Sequence, residues 1–480
     1  MQTPGTEIPF TNGFYRSGRS LPYSAQRCVG WRPNFSKKPA LSNSNLYQVE
    51  GVRAVIDDLE GINRGACEFD NEFYCVNGEK LYKITQTINP DKSETYSSVL
   101  LATLPNNGGT GRVIMVPGQL DIVIVVPGQY SYSWNDGTST LTELDPLPNF
   151  RTAQDCVHIN SLFVFLTSDS NIIFHSELND PTTYGVTSFT TAYQISRGVG
   201  LIKFRNQLYV CGDSQTIPYV YTGGVISGSI LTFAFTPQPN AELDIGLRST
   251  FGKVAVKDGV VILGAYENEA VGVYLFPNKL KVSTETVDYV IQNLTDDEIN
   301  SSFMLKLSQN DANNIYVMAG AESLVYDLAT NTWHEDRTRY NETSIRKRYN
   351  SITQVYNRFL AGDSIDGRIG IIDDQINTEY DVPMYREVIF QPIEAKGKMF
   401  SVNELLIWMD VGYGGDDITL YISTDGGLTY GNGITASPGE PGEYGRLVSF
   451  DRLGSTPSTM VFKLVTNSVE KCNINKVLAR

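Results

Sequence analysis

One pattern recurs along this chain: a polar turn, an apolar strand of about five residues, a small-residue turn, and a second strand that often holds Tyr. Seven copies can be read, at 71–84 (NEFYCVNGEKLYKI), 120–134 (LDIVIVVPGQYSYSW), 160–174 (NSLFVFLTSDSNIIF), 206–221 (NQLYVCGDSQTIPYVY), 258–276 (DGVVILGAYENEAVGVYLF), 313–328 (NNIYVMAGAESLVYDL) and 357–372 (NRFLAGDSIDGRIGII). Their starts lie about 40 to 55 residues apart, the span of a four-stranded blade in WD40-like and kelch-like proteins. A unit of that length cannot bury its own apolar strands. Arranged radially, each sheet covers both faces against its neighbours and leaves only short edges. The pattern predicts an all-β protein with a β-propeller of six or seven blades over residues 55–378. The uneven spacing predicts insertions near 223–249 and near 334–349.

Local detail supports the repeat. Gly212-Asp213-Ser214 and Gly362-Asp363-Ser364 both follow an apolar strand, which points to an equivalent turn in two blades. Val325-Tyr326-Asp327, followed by Asn331-Thr332-Trp333, looks like the end of a kelch-type blade, where an aromatic returns to the core. Helix is scarce. The clearest start is Thr295, whose hydroxyl can cap a helix while Glu298 reaches back to the cap amide; this helix would end near Phe303.

From about residue 380 the repeat stops. Alternating strands near 388–395, 404–411, 418–424, 446–453 and 460–466 predict a β-sandwich-like platform domain over 379–480 with one wet face. Residues 1–54 form an arm, expected to pack on that platform or on a neighbouring subunit.

Charge separates the arm from the rest. The net charge is −15, which argues against a general nucleic-acid binder. Residues 8–49 hold no Asp or Glu but carry Arg16, Arg19, Arg27, Arg32, Lys37 and Lys38, so the arm is +6 and the remainder −21. Such an arm reads as a strap on an acidic surface of the same or another subunit, ahead of DNA contact. A second basic island, Arg337, Arg339, Arg346, Lys347 and Arg348, reads as a solvated loop or subunit contact. Cys28, Cys67, Cys75, Cys156, Cys211 and Cys472 are widely spaced and several sit in apolar runs, so buried reduced thiols are expected. The N-terminal stretch MQTPGTEIPF lacks the apolar run of a secretory signal, and no stretch reaches the roughly 18 to 20 apolar residues of a membrane span. A soluble protein made in a cytoplasm is expected.

Motifs for chemistry are few. His158, His175 and His334 are the only histidines, and none sits in HExxH, a zinc pair or a triad context. There is no GxSxG elbow and no phosphate loop. The Gly-Asp-Ser triplets are better explained as turns than as a hydrolase block. Acidic pairs such as Asp57 with Asp58 or Asp373 with Asp374 are too common among 53 acids to signal glycoside hydrolysis. Asp363, Asp366 and Gly367 do not have calcium-loop spacing. No catalytic residue, cofactor or metal is expected. One motif stands out: Ser423, Asp425, Gly427, Thr429 and Tyr430 match the Asp-box S-x-D-x-G-x-T-aromatic, in which the Asp accepts turn amides and the aromatic packs beneath the hairpin. It is a structural turn, not a catalytic one.

Several stretches in order resemble the tail hub or nozzle proteins of short-tailed bacteriophages, the packaged DNA stabilisation proteins. They are 177–184 (ELNDPTTY), 200–224, 294–307 (LTDDEINSSFMLKL), 324–333 (LVYDLATNTW), 420–431 (LYISTDGGLTYG), 462–467 (FKLVTN) and 472–477 (CNINKV). The first two blades match poorly, so surfaces for distal partners can differ. The resemblance implies a virion tail protein assembled in the bacterial host cytoplasm as a ring, usually a homohexamer, below the portal adaptor. It implies an extended DNA channel, retention of packaged DNA and docking of fibres, spikes or a needle-like plug. Genomic DNA would pass through the lumen without sequence-specific binding. An acidic lumen would let DNA slide, where a basic one would hold it. The rival expectations are a propeller-type glycan hydrolase, which requires convergent carboxylates, and a carbohydrate-binding propeller, which requires exposed aromatics around a pocket.

Overall fold

The computed structural model describes residues 6–8, 20–38, 40–144, 152–185, 187–223, 226–227, 230–231, 233–309 and 312–480. Each of the seven sequence copies supplies the second and third strands of one blade. Blades 1 to 6 occupy residues 63–103, 114–143, 153–191, 200–237, 246–281 and 303–335. Blade 7 runs through Tyr349–Val355, Arg358–Asp363 and Ile369–Asp373, and its outer strand is Gly51–Ile56 from the other end of the chain. The blade count is therefore seven.

The polar residue that opens many copies now has a physical reason. Asp70 and Asn71, Asn160 and Ser161, Arg205 and Asn206, and Tyr356 and Asn357 all have positive φ, and each pair joins the first strand of a blade to its second. A two-residue hairpin needs that backbone twist, and Asn tolerates it well. The second strands are apolar throughout because both faces are covered. Phe73 and Cys75 join the core shared with blade 7, while Tyr74 and Val76 join the core shared with blade 2. Seven such cores, one at each blade boundary, complete the circle.

The second domain is a sandwich. One sheet is ordered Trp31–Phe35, Ser44–Gln48, Ile474–Ala479, Glu404–Met409, Val448–Asp451. The other contains Arg386–Ile389, Thr459–Thr466, Ile418–Ser423 and Ile434–Ala436. Trp31, Leu405, Phe450 and Phe462 fill the space between them. The second sheet does not stop at the domain edge. Arg27–Val29 pairs antiparallel with Arg386–Ile389 and, at Val29, parallel with Glu335 of blade 6, so blade and sandwich share one ten-stranded sheet.

Three boundaries read from sequence shift. The division at 54/55 cuts through the strand Gly51–Ile56, whose partner lies over 300 residues away and leaves no local trace. Residues 223–249 are only partly an insertion: Phe235–Pro237 is the outer strand of blade 4 and Gly246–Leu247 pairs within blade 5, leaving the hairpin of Ile226–Ser227 and Ile230–Leu231. Within 334–349 the inserted part is the hairpin Arg337–Tyr340 and Thr343–Arg346. The expected helix is Asp296–Asn300, with Thr295 and Glu298 forming the capping box. A second helix, Glu285–Gln292, capped by Thr284, precedes it and buries Val287 and Ile291 between blades 5 and 6. All six cysteines are buried and unpaired. Among the described residues no helix is long and apolar enough to cross a membrane.

Candidate functional site

The densest charge chemistry lies where propeller, sandwich and arm meet. Arg27, on the bridging strand, grips Glu335 of blade 6 with two hydrogen bonds, Nε to Oε1 at 2.8 Å and Nη2 to Oε2 at 2.7 Å. Its Nη1 donates to Glu387 of the sandwich at 3.1 Å, and Tyr385 donates to the same carboxylate at 2.7 Å. Burial works against the Arg27 charge, but the Glu335 hydrogen bond and the charges of Glu335 and Glu387 outweigh it and raise its pKa. One guanidinium thus ties three parts of the chain together.

The basic island at 337–348 is a solvated hairpin only at its tip, residues 340–344. Arg337 donates to Glu322 at 2.6 Å. Lys347 is fully buried, 3.2 Å from both Asp336 and Glu379. Burial opposes its charge, but those two carboxylates dominate and raise its pKa, while burial outweighs Lys347 at Asp336 and raises the acid. Arg348 binds Asp363 and reaches Asp366 at 2.9 Å. Its guanidinium stands between the two acids weighed for calcium. These three cations look solvated in sequence because most of the acids that match them come from other strands.

The sequence-derived arm residues divide three ways. Arg16 and Arg19 lie outside the described residues. Arg27 and Arg32 are turned into the chain's own junction, Arg32 being buried with its guanidinium 5.3 Å from the Tyr47 ring centre; these two are not free for a neighbouring subunit. Lys37 and Lys38 are exposed. The arm also secures the sandwich core, where Trp31 Nε1 donates to the Cys472 carbonyl at 3.0 Å.

The Asp-box connects Ile418–Ser423 to Ile434–Ala436. Asp425 accepts the Ser423 hydroxyl at 2.7 Å, the Thr429 hydroxyl at 2.6 Å and the amides of Leu428 and Thr429 at 3.0 Å. The Ser423 hydroxyl, then Thr429 and the amides, hold its pKa well below the usual carboxylate range. Ser423 in turn accepts the Gly427 amide at 2.9 Å. Gly426 and Gly427 have φ of 79° and 92°, and a Cβ on them would strike Pro22 and Ala25 of the arm at 2.8 and 2.7 Å. Tyr430 packs against Leu21, Ala25, Ile389 and Val461, with Lys463 Nζ 4.4 Å from its ring centre. The turn is also the bed on which residues 21–25 lie, a role its motif does not announce.

Several of the remaining candidates hold structural contacts. His158 lies 4.7 Å from the Phe163 ring, with burial and Lys203 lowering its pKa. His175 bonds the Ser176 carbonyl through Nδ1 and accepts the Ala234 amide at Nε2. Asp373 pairs with Arg358 at 3.2 Å. Among the described residues no three His, Cys, Asp or Glu side chains cluster as a metal site.

Residues 6–377 match the family model described as bacteriophage P22 Gp10, beta-propeller, and residues 385–480 match the model described as bacteriophage P22 Gp10, beta-sandwich. No curated protein matches the chain. Solved structures that resemble it include the N-terminal domain of Nup159, at 9% identity over 72% of this chain and 98% of that one, with a TM-score of 0.43. A chain of the mitotic checkpoint complex gives 10% identity over 70% and 95%, TM-score 0.39, and U3-55K gives 9% over 67% and 98%, TM-score 0.38.

Proposed function

Because this chain belongs to the bacteriophage P22 Gp10 family in both its propeller and its sandwich, and so is a phage structural protein, we propose that it forms the ring-shaped hub of a short tail. In this reading six copies extend the DNA channel below the portal adaptor, help retain packaged DNA, and dock fibres, a spike or a needle. The observation that carries it is the junction: propeller and sandwich are joined by one continuous sheet and by Arg27 bonded to both. A part that transmits load between an adaptor and distal appendages needs such a joint. A net charge of −15 suits a conduit along which DNA slides.

The test is the mass of the assembly. The 53.2 kDa chain, alone and with its adaptor, should form rings visible by negative stain and by light scattering. A monomer under both conditions would reject the hub. Cleavage of host surface glycan, lost on substituting a pair of carboxylates, would favour the hydrolase instead.

A further inference from the structure

The centre of the propeller holds a cavity of about 190 Å³ lined by Arg112, Asp155, Thr250, Phe251, Lys253 and Met304, among others. These residues come from blades 2, 3, 5 and 6, which only the central axis brings together. Its charges are not balanced. Lys253 is bound to Asp155, and Asp155 also accepts the amides of Cys156 and Leu201. Arg112 has no such acid. Its Nη1 donates to the Asn350 side-chain carbonyl at 3.0 Å, its guanidinium lies 3.6 Å from the Phe303 ring centre, and its buried Nε has no acceptor. Arg346 stands 5.1 Å from the same ring, its Nη1 reaching only the Gly320 carbonyl at 3.5 Å. Among the described residues neither guanidinium has a carboxylate within ion-pair distance. Burial, then the Arg346 charge, push the Arg112 pKa below its ordinary value.

Two neighbouring guanidinium groups partly withdrawn from water without an anion are costly. A planar guanidinium whose N–H donors are not taken up by any acid matches the oxygens of an oxyanion. We propose that the axial cavity binds one small oxyanion of the phosphate or sulfate class at Arg112, with Arg346 adding the second positive charge. The site is far too small for duplex DNA, and the proposal is independent of ring assembly.

Calorimetric titration of the full chain with sodium phosphate, sodium sulfate and sodium acetate, each balanced with chloride to one ionic strength, tests this. Saturable binding of one phosphate or sulfate per chain is expected, with acetate weaker. Arg112→Gln should weaken it at least tenfold and Arg346→Gln several-fold, while Arg197→Gln, on the exposed surface, should leave it unchanged. If Arg112→Gln fails to fold, Arg346→Gln decides, with folding checked by thermal melting. Absence of saturable binding in the parent, or parent-like affinity in a folded Arg112→Gln or Arg346→Gln chain, would overturn the site.

Discussion

His334 is fully buried in the strand Thr332–Glu335, and among the described residues neither ring nitrogen has a partner. Burial pushes its pKa down to about 3, against about 6.5 in an unfolded chain. Between those values the unfolded chain takes up a proton that the fold refuses, so this contribution is complete above about pH 6.5 and is lost as the pH falls toward 3. His334→Leu should flatten that decline by roughly 3 to 5 kcal/mol between pH 7 and pH 3, read from urea unfolding of both chains across the range. At Gly426 two constraints coincide, a left-handed backbone and the approach of Pro22. Gly426→Ala should cost about 1 to 3 kcal/mol and expose residues 20–25 to protease. The Asp-box glycines were legible as turn formers, but their second duty was not, because Pro22 lies about 400 residues away in sequence.

The bridging strand Arg27–Val29 has only three residues, yet removing Arg27 takes the main cation from Glu335 and Glu387, which are 2% and 6% exposed, and leaves them Arg337 at 3.7 Å and the Tyr385 hydroxyl. Arg27→Ala should cost on the order of 3 to 5 kcal/mol, and the double variant with Glu335→Gln less than the sum of the two single changes. Chemical denaturation of the four chains measures both. At this scale the sequence was most informative for the blades. The apolar second strands are local and all seven appear in the fold, four of them behind a two-residue turn that contains Asn. The strand that closes blade 7 and the acids that receive the basic island were hidden, since each depends on a partner from a distant segment. A cation in a string of letters looks the same whether water or a buried carboxylate awaits it.

For the whole molecule, the arm has to be tested without dismantling its own domain. Residues 31–48 contribute two strands to the sandwich, so deleting 8–49 would unfold the platform and say nothing about partners. Replacing Arg16, Arg19, Lys37 and Lys38 with Gln leaves the junction charges in place. Such a chain should keep its melting temperature within a few degrees and lose ring formation or adaptor docking, as judged by light scattering. Normal assembly would remove the arm from the interface.

Closing the circle with Gly51–Ile56 has a consequence for how the protein is made. That strand leaves the ribosome early, and the blade it completes is synthesised only after six others. Ile474–Ala479, which pairs with Ser44–Gln48 and Glu404–Met409, emerges later still. Until then the early segment must wait with its backbone groups unspent, exposed to other nascent chains. A message broken before the codons for Ile474–Ala479 should therefore yield no half-built part able to enter a virion, because translation itself would serve as the inspection step.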